Sequence, residues 1–215
     1  MKSLLFCVIF TAIIALSQSR GKRDNVYFYV YDWPEDIIDC WPVNFTHKRL
    51  SVERKFKENF GMGPLRSSQD GVYHTHQYSL FAMFYQRLLE SEFRTTDPKQ
   101  ASYFFIPYDI GMDSSTRKSD GALFQTNCPR MSTVIQYLSD SPYFGSGYGN
   151  NHFILHSINQ PMQYYLNLKC REFYDFCFNC TKLSIDTYPP NLFKSLSDWP
   201  SMTNRWVSIP FPANL

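Results

Sequence analysis

The chain has 215 residues, a mass of 25.3 kDa and a formal net charge of +2, which suits one domain. Hydrophobic residues make up 44% and charged residues 19%, a composition that disfavours intrinsic disorder. The small basic excess disfavours a nucleic-acid partner. Aromatic residues reach 18%, whereas only 9 glycines are present, which disfavours glycine-rich phosphate loops and linker sequence.

The N-terminus predicts entry into the secretory pathway. An apolar run of about 13 residues, from Leu4 to Leu16, is shorter than the roughly 20 residues that cross a membrane. It fits the apolar region of a signal peptide, with Ala15-Leu16-Ser17 as the cleavage site. An uncleaved signal anchor is the alternative, although the basic residues at 20, 22 and 23 do not favour a cytosolic N-terminus. Residues 1–19 are therefore predicted to be a signal peptide or signal anchor, and both place the remaining chain in the lumen.

Two glycosylation sequons agree with a luminal location. Asn44-Phe45-Thr46 and Asn179-Cys180-Thr181 both read N-x-T with a non-proline centre. A pattern this short also arises by chance, so each sequon alone gives modest support. Asn44 and Asn179 are the predicted glycosylation sites.

Five cysteines remain after the leader, and an oxidising lumen predicts up to two disulfides and one remaining thiol. The spacing Cys177-x-x-Cys180 also suits zinc or redox chemistry, but no second such motif and no paired histidine lies nearby. A structural disulfide within 170–180 is therefore favoured. The candidates are Cys40, Cys128, Cys170, Cys177 and Cys180.

Hydrophobic periodicity predicts alternating strands and helices along the chain. In chain order they are a strand at 26–31, helices at 48–59 and 78–93, one helical turn after Asp97-Pro98, a strand at 103–107, a helix at 131–138, a strand at 152–158, a helix at 161–176, and strands at 182–185 and 206–209. The polar segment 110–127 is predicted to be an exposed loop. Because parallel strands need crossover connections, this order predicts an open, mostly parallel α/β sheet with helices on both faces.

The known nucleotide-binding and nucleophile motifs are missing from the sequence. It contains no G-x-G-x-x-G, no P-loop, no G-x-S-x-G and no D-x-D pair that would hold a metal–nucleotide complex. His74 and His76 would share a face of an extended segment, but no third ligand stands at a suggestive spacing, so no metal site is predicted.

Three titratable residues are the candidates for a general base. His152 and His156 share one face of the predicted strand, with Ile154 between them, and Asp109 follows the preceding strand. Open α/β sheets bind ligands beyond the carboxyl ends of their strands, where a histidine can take a proton from a hydroxyl near neutral pH. The alternative for each residue is a hydrogen-bonded core position, and the predicted catalytic residues are His152, His156 and Asp109.

One stretch of the chain resembles the exostosin-type glycosyltransferases. Residues 92–107 match the family segment "RT-x-DP-x-x-A-x-x-FF-x-P", which follows an amphipathic helix. The opening 29–34 is similar to the family's "YVYDLP" strand, Asn151-His152-Phe153 stands where the family often has "DHF", and 206–210 resembles the strand that closes its N-terminal half. The resemblance covers roughly residues 26–212, with asparagine in place of the family's aspartate at position 151.

The resemblance implies a GT-B-type enzyme with two facing Rossmann-like domains, of which residues 26–212 form the N-terminal, acceptor-side domain. The donor-binding C-terminal domain is expected to lie outside these residues, so this half binds no cofactor and the nucleotide sugar is the donor substrate of the complete enzyme.

The resemblance also implies a location and partners. The family suggests a Golgi-lumen, single-pass type II membrane protein acting on a glycan or glycoprotein acceptor, with secretion after cleavage as the alternative. A homo- or hetero-oligomer with a related transferase is a further expectation, and membrane attachment would use the uncleaved N-terminal anchor. The alternative function is a non-catalytic luminal carbohydrate-binding or partner module.

Overall fold

The computed structural model describes residues 26–33, 62, 65–69, 71–73, 80–113, 115–117, 123–125, 128–145, 149–156, 170–184 and 206–209. No helix within these ranges is long and apolar enough to span a membrane. The predicted leader, the predicted helix 48–59, Asn44, Cys40, His74 and His76 lie outside the described residues.

The described part of the chain contains both strands and helices. The strands are β1 (Phe28–Val30), β2 (Leu65–Ser67), β3 (Val72–Tyr73), β4 (Arg94–Thr95), β5 (Tyr103–Phe105), β6 (Ser115–Arg117), β7 (Leu123–Gln125), β8 (His152–His156), β9 (Thr181–Ser184) and β10 (Trp206–Ser208). The helices are α1 (Leu80–Leu89), α2 (Ile110–Asp113), α3 (Met131–Asp140) and α4 (Arg171–Phe176), with a 3₁₀ turn at Pro98–Gln100.

Six of the strands form one sheet in the order β10-β9-β8-β5-β1-β4, and every neighbouring pair is parallel. The chain leaves β1 for β4 on one side and then returns to place β5 on the other side of β1. This reversal creates a switch point at the carboxyl ends of β1 and β5, where open α/β sheets bind ligands. The Rossmann-like α/β fold predicted from the sequence is confirmed.

Both faces of the sheet are covered, because the strands carry apolar side chains on their two alternating sides. Phe105 is 0% exposed and packs with α1, whereas Phe104 is 3% exposed and faces α3 and α4. A strand buried on both faces has no polar side, so its sequence is a continuous apolar run. Phe104 and Phe105 are therefore buried on opposite faces of β5, and the strand predicted at 103–107 is confirmed there.

The short turn before β5 forms for local reasons. Asp97 accepts a hydrogen bond from the backbone N–H of Lys99 at 3.0 Å, which satisfies one donor that the turn leaves unpaired. Pro98 occupies the first helical position, where its fixed φ suits the turn and its missing N–H is not needed. The helical turn predicted after Asp97-Pro98 is confirmed, with Asp97 as its cap.

The prediction of an exposed loop over 110–127 is wrong for the described residues of this segment, which form a helix and two strands. Ile110–Asp113 forms the short helix α2, in which Ile110 is 1% and Asp113 3% exposed. Further on, β6 and β7 pair as an antiparallel hairpin. The polar composition of this segment concealed a buried carboxylate, because its partners lie elsewhere in the chain.

Two disulfides hold the α3–α4 face of the sheet. Cys128, just before α3, is bonded to Cys170, just before α4, with 5.7 Å between their Cα atoms. Cys177 is bonded to Cys180 within the turn that joins α4 to β9. The sequence left the pairing open, and the structure decides it.

We expect peptide mapping of the chain secreted from eukaryotic cells to recover both crosslinks, Cys128–Cys170 and Cys177–Cys180. Both pairs have Cα separations, 5.7 and 5.2 Å, inside the range that a disulfide bridges without backbone movement. Non-reducing digestion with mass spectrometry makes the measurement, and a reduced, alkylated sample is the control. Recovery of these four cysteines as thiols would contradict the prediction and the luminal location together.

Candidate functional site

The two histidines of β8 lie at opposite ends of the strand. His152 is opposite Phe104 of β5 in the sheet register, and His156 is opposite Ser184 of β9. Both point to the α3–α4 face with Ile154 between them, as the period of two predicts. His152 therefore lies at the amino end of β8, and the prediction that it lies with His156 and Asp109 near the carboxyl edge is wrong.

His152 sits inside an aromatic cluster. Its ring stacks on Phe104 at a centroid distance of 4.9 Å and on Tyr31 at 5.7 Å, and Phe144 contacts it at 4.9 Å. A hydrogen bond of 2.9 Å joins its Nε2 to the Tyr31 hydroxyl. Burial lowers the pKa of His152 from 6.5 to about 4, because the charged form would lose its hydration. The ring is therefore neutral at physiological pH.

Tyr31 connects this histidine to the end of α3. Its hydroxyl is 2.9 Å from His152 Nε2 and 3.3 Å from Ser141 Oγ. Burial raises the pKa of Tyr31 to about 12, so the hydroxyl keeps its proton throughout the physiological range. This arrangement supports the packing of the sheet face and provides no group that exchanges protons near neutral pH.

His156 is fully buried at the carboxyl end of β8. Its ring stacks on Tyr174 of α4 with 5.4 Å between centroids, and Tyr174 Oη lies 3.4 Å from its Nδ1. Burial and, secondly, the nearby charge of Lys182 lower the pKa of His156 to about 3. The ring is therefore neutral and can accept a proton only at a high energetic cost.

Lys182 is a buried cation in β9 that no sequence motif indicates. Its Nζ donates hydrogen bonds to the carbonyl oxygens of Cys177 at 2.9 Å and of Phe178 at 2.7 Å. These carbonyls follow the last turn of α4, where the helix dipole is negative and favours a cation. The lysine thereby connects β9 to the disulfide-closed turn between α4 and β9.

Asp109 lies four residues beyond the end of β5, at the switch-point edge, and is 2% exposed. Its backbone carbonyl accepts the N–H of Asp113 at 3.0 Å, which starts helix α2. The sequence prediction that Asp109 follows the carboxyl end of this strand is confirmed in position. Its catalytic role stays a prediction.

Asp113 organises the segment next to Asp109. Its carboxylate accepts hydrogen bonds from the Tyr108 hydroxyl at 2.7 Å and the Arg130 backbone N–H at 3.0 Å, and it pairs with the Arg130 guanidinium at 3.3 Å. Burial raises the pKa of Asp113, while the bonds from Tyr108 and Arg130 oppose that rise. Arg130 lies 17 positions from Asp113, so no local pattern in the sequence indicates this ion pair.

The second sequon lies in the turn that the Cys177–Cys180 disulfide closes. Asn179 is half-buried between the two cysteines, and Thr181 is the first residue of β9 and only 7% exposed. Within the part of the chain that the structure describes, no group of three histidine, cysteine or acidic side chains is arranged to hold a metal ion.

Comparisons with known proteins identify relatives along most of the chain. The profile of the Exostosin GT47 domain matches residues 22–215. A xyloglucan galactosyltransferase of Arabidopsis thaliana is 27% identical over 163 residues, which cover 68% of this chain and 25% of that protein. A protein named probable glucuronoxylan glucuronosyltransferase, also from Arabidopsis thaliana, is 29% identical over 140 residues, or 65% of this chain and 24% of its own length.

A third Arabidopsis thaliana protein, named probable xyloglucan galactosyltransferase, is 25% identical over 141 residues. That match covers 60% of this chain and 29% of the relative. The chain thus spans less than a third of the length of each of these relatives. No solved structure matches the chain.

Proposed function

Because this chain belongs to the Exostosin GT47 domain family, we propose that it is the acceptor-side domain of a glycosyltransferase that moves a sugar from a nucleotide sugar to a glycan. The family match over residues 22–215 is the observation that carries the proposal. The parallel sheet supports it, since its switch point provides a ligand-binding edge at the carboxyl ends of β1 and β5.

The relatives suggest a class of acceptor. Their names refer to xyloglucan and glucuronoxylan, which are plant cell-wall polysaccharides. We therefore propose a polysaccharide acceptor and a luminal location along the secretory pathway. We further propose Golgi residence, membrane attachment through residues 1–19 and pairing with a related transferase. The two disulfides agree with an oxidising compartment.

A general base for the acceptor hydroxyl would come from the carboxyl edge of the sheet. Of the three predicted residues, Asp109 and His156 lie there, whereas His152 starts its strand inside an aromatic cluster. His156 is the weaker base, because its pKa of about 3 lies far below luminal pH and proton transfer is most effective near the operating pH. Asp109 follows β5 at the switch point itself, so we propose it as the base on the ground of its position. Both side chains are buried, so a transfer that uses either one needs the covering segments to move.

The experiment is a turnover assay in a version of the protein extended with a donor-binding domain from the family. Loss of a general base lowers the rate by roughly 10²- to 10⁴-fold, and we expect Asp109→Asn to show that loss. His156→Ala and His152→Ala are assayed beside it, and Asp140→Asn, an exposed carboxylate of α3, is the control. Melting curves establish that each variant is folded. Near-normal turnover in all three folded variants would place the base elsewhere.

We expect calorimetric titration of the 215-residue chain with UDP-galactose or UDP-glucuronate to give no measurable heat of binding. The donor site in this proposal belongs to a domain outside residues 26–212, and the chain contains no glycine-rich phosphate-binding fingerprint. The extended protein is the positive control. Saturable binding by the 215-residue chain would overturn this division of labour between the domains.

A further inference from the structure

An exposed tyrosine lies beside the end of β1. Tyr137 of α3 is 38% exposed and, with Leu65, is one of two large apolar-bodied side chains exposed among the described residues. Its ring stacks on Trp33 with 5.2 Å between centroids and 24° between the planes. One face of the Tyr137 ring is therefore covered by Trp33, while the side chain as a whole stays accessible from solvent.

The tyrosine is held in place by a hydrogen bond as well as by stacking. Its hydroxyl donates to the backbone carbonyl of Asp32 at 2.9 Å, which joins α3 to the segment that leaves β1. Because the ring is already ordered, a ligand that stacks on it does not have to immobilise a mobile side chain. Preorganisation of this kind lowers the entropic cost of binding.

Polar groups lie next to the ring. The side chain of Asp32 is exposed, and its carboxylate can accept hydrogen bonds from hydroxyl groups. Trp33 is 3% exposed, and its indole Nε1–H has no hydrogen-bond partner within the described part of the chain. A buried donor left in this state costs free energy that a ligand oxygen would recover.

The location is the one that the fold offers to ligands. Asp32 and Trp33 lie two and three residues beyond the end of β1, on the side of the sheet where β1 and β5 end and the chain direction reverses. An aromatic platform with a few convergent polar groups at such a switch point has the composition of a small-ligand site.

We propose that Tyr137, Trp33 and Asp32 form a subsite for one uncharged pyranose unit of the acceptor glycan. A pyranose has an apolar C–H face that packs on an aromatic ring and hydroxyls that donate to a carboxylate. The negative charge of Asp32 favours a neutral sugar over a uronate at this position. The inference rests on the proposed function and adds a binding position to it, distinct from the candidate bases Asp109 and His156.

The test measures the binding of a defined oligosaccharide to the 215-residue chain by saturation-transfer NMR and calorimetry. The probe is a neutral xyloglucan heptasaccharide, with a glucuronate-bearing xylan oligosaccharide as the charged comparison. We expect Tyr137→Ala to weaken heptasaccharide binding by about 5- to 10-fold, since it removes the stacking surface. Tyr137→Phe keeps the ring and should bind within about twofold of the unmodified chain.

Two further variants separate the roles. Asp32→Ala should lower the affinity for the neutral heptasaccharide severalfold. It should also reduce the ratio of that affinity to the affinity for the glucuronate-bearing oligosaccharide. Leu65→Ala, which removes the other exposed apolar side chain, from the separate two-stranded sheet β2–β3, should leave both affinities unchanged. Melting curves for every variant show that the fold is intact.

The outcomes distinguish the subsite from the wider function. Unchanged affinity in a folded Tyr137→Ala variant, or no binding of the heptasaccharide by the unmodified chain, overturns the subsite. Either result leaves the transferase proposal to the turnover assay of the extended protein, which does not depend on Tyr137. Loss of affinity in Tyr137→Ala with retention in Tyr137→Phe supports the subsite even if turnover is never observed.

Discussion

Replacement of Phe105 by alanine is expected to lower the free energy of unfolding by about 3–5 kcal/mol. Phe105 is 0% exposed, and its ring lies 5.1 Å from that of Phe153 and 5.5 Å from that of Phe84. The substitution removes a buried ring from between β5 and α1 and leaves a cavity that rigid neighbours fill only in part. Typical domains have a total stability of about 5–15 kcal/mol, so the variant should be largely unfolded or aggregated.

Urea or thermal unfolding followed by circular dichroism makes the measurement. Phe105→Leu, which keeps much of the apolar volume, should lose less stability and gives a folded comparison if the alanine variant does not fold. Leu65→Ala is the surface control, because Leu65 is 45% exposed and substitutions at such sites change stability by about 0.5 kcal/mol or less. A Phe105→Ala protein that melts cooperatively near the unmodified chain would contradict the packing of this strand.

Mild acid is expected to destabilise the folded chain through His152 and His156, the two histidines of the described residues, both of which are buried. The folded-state pKa values of His152, about 4, and His156, about 3, lie below the unfolded value of 6.5. A depressed histidine pKa means that the unfolded state binds protons first. The contribution of each neutral ring is therefore complete above pH 6.5 and is lost as the pH falls from 6.5 towards these values. Near pH 5 the combined loss is on the order of 4 kcal/mol.

Unfolding measurements between pH 7.5 and 5 test this dependence, with a variant as the reference. His152→Phe keeps an aromatic ring in the cluster of Phe104 and Tyr31 but removes one titrating group, so its stability should fall about half as steeply with pH. The raised pKa of Asp113 has the opposite effect, since it increases stability as the pH falls. Asp113 is present in both the unmodified chain and His152→Phe, so its effect cancels in the comparison. Identical slopes would show that His152 is not held neutral by the fold.

The acid prediction also bears on the candidate site. A histidine that the fold keeps neutral at luminal pH is suited to packing and hydrogen bonding, which is how His152 is used beside Tyr31. The burial that makes His156 a weak base also makes the stability of the carboxyl edge of the sheet sensitive to acid. Asp109 and His156 are therefore best studied together, with stability and turnover measured on the same variants.

Local patterns in the sequence were sufficient for the main elements of the fold. The period of two placed Phe104 and Phe105 on opposite faces and His152 and His156 on one face, since this alternation is a property of any extended strand. The cap at Asp97 was equally predictable, because a carboxylate reaches an N–H two residues away whatever surrounds it. The parallel sheet followed from the order of strands and helices.

Contacts between distant positions were decided only by the tertiary structure. The bond between Tyr31 and His152 joins residues 121 positions apart, and the disulfide from Cys128 reaches across 42 positions to Cys170. Neither leaves a periodic signal in the sequence. The same holds for Asp113. Its polar segment predicted solvent exposure, but in the fold it is buried and paired with Arg130. Strand periodicity predicts which face of the sheet a side chain occupies. The burial of that side chain, its hydrogen-bond partner and its pKa depend on which distant residues pack against that face.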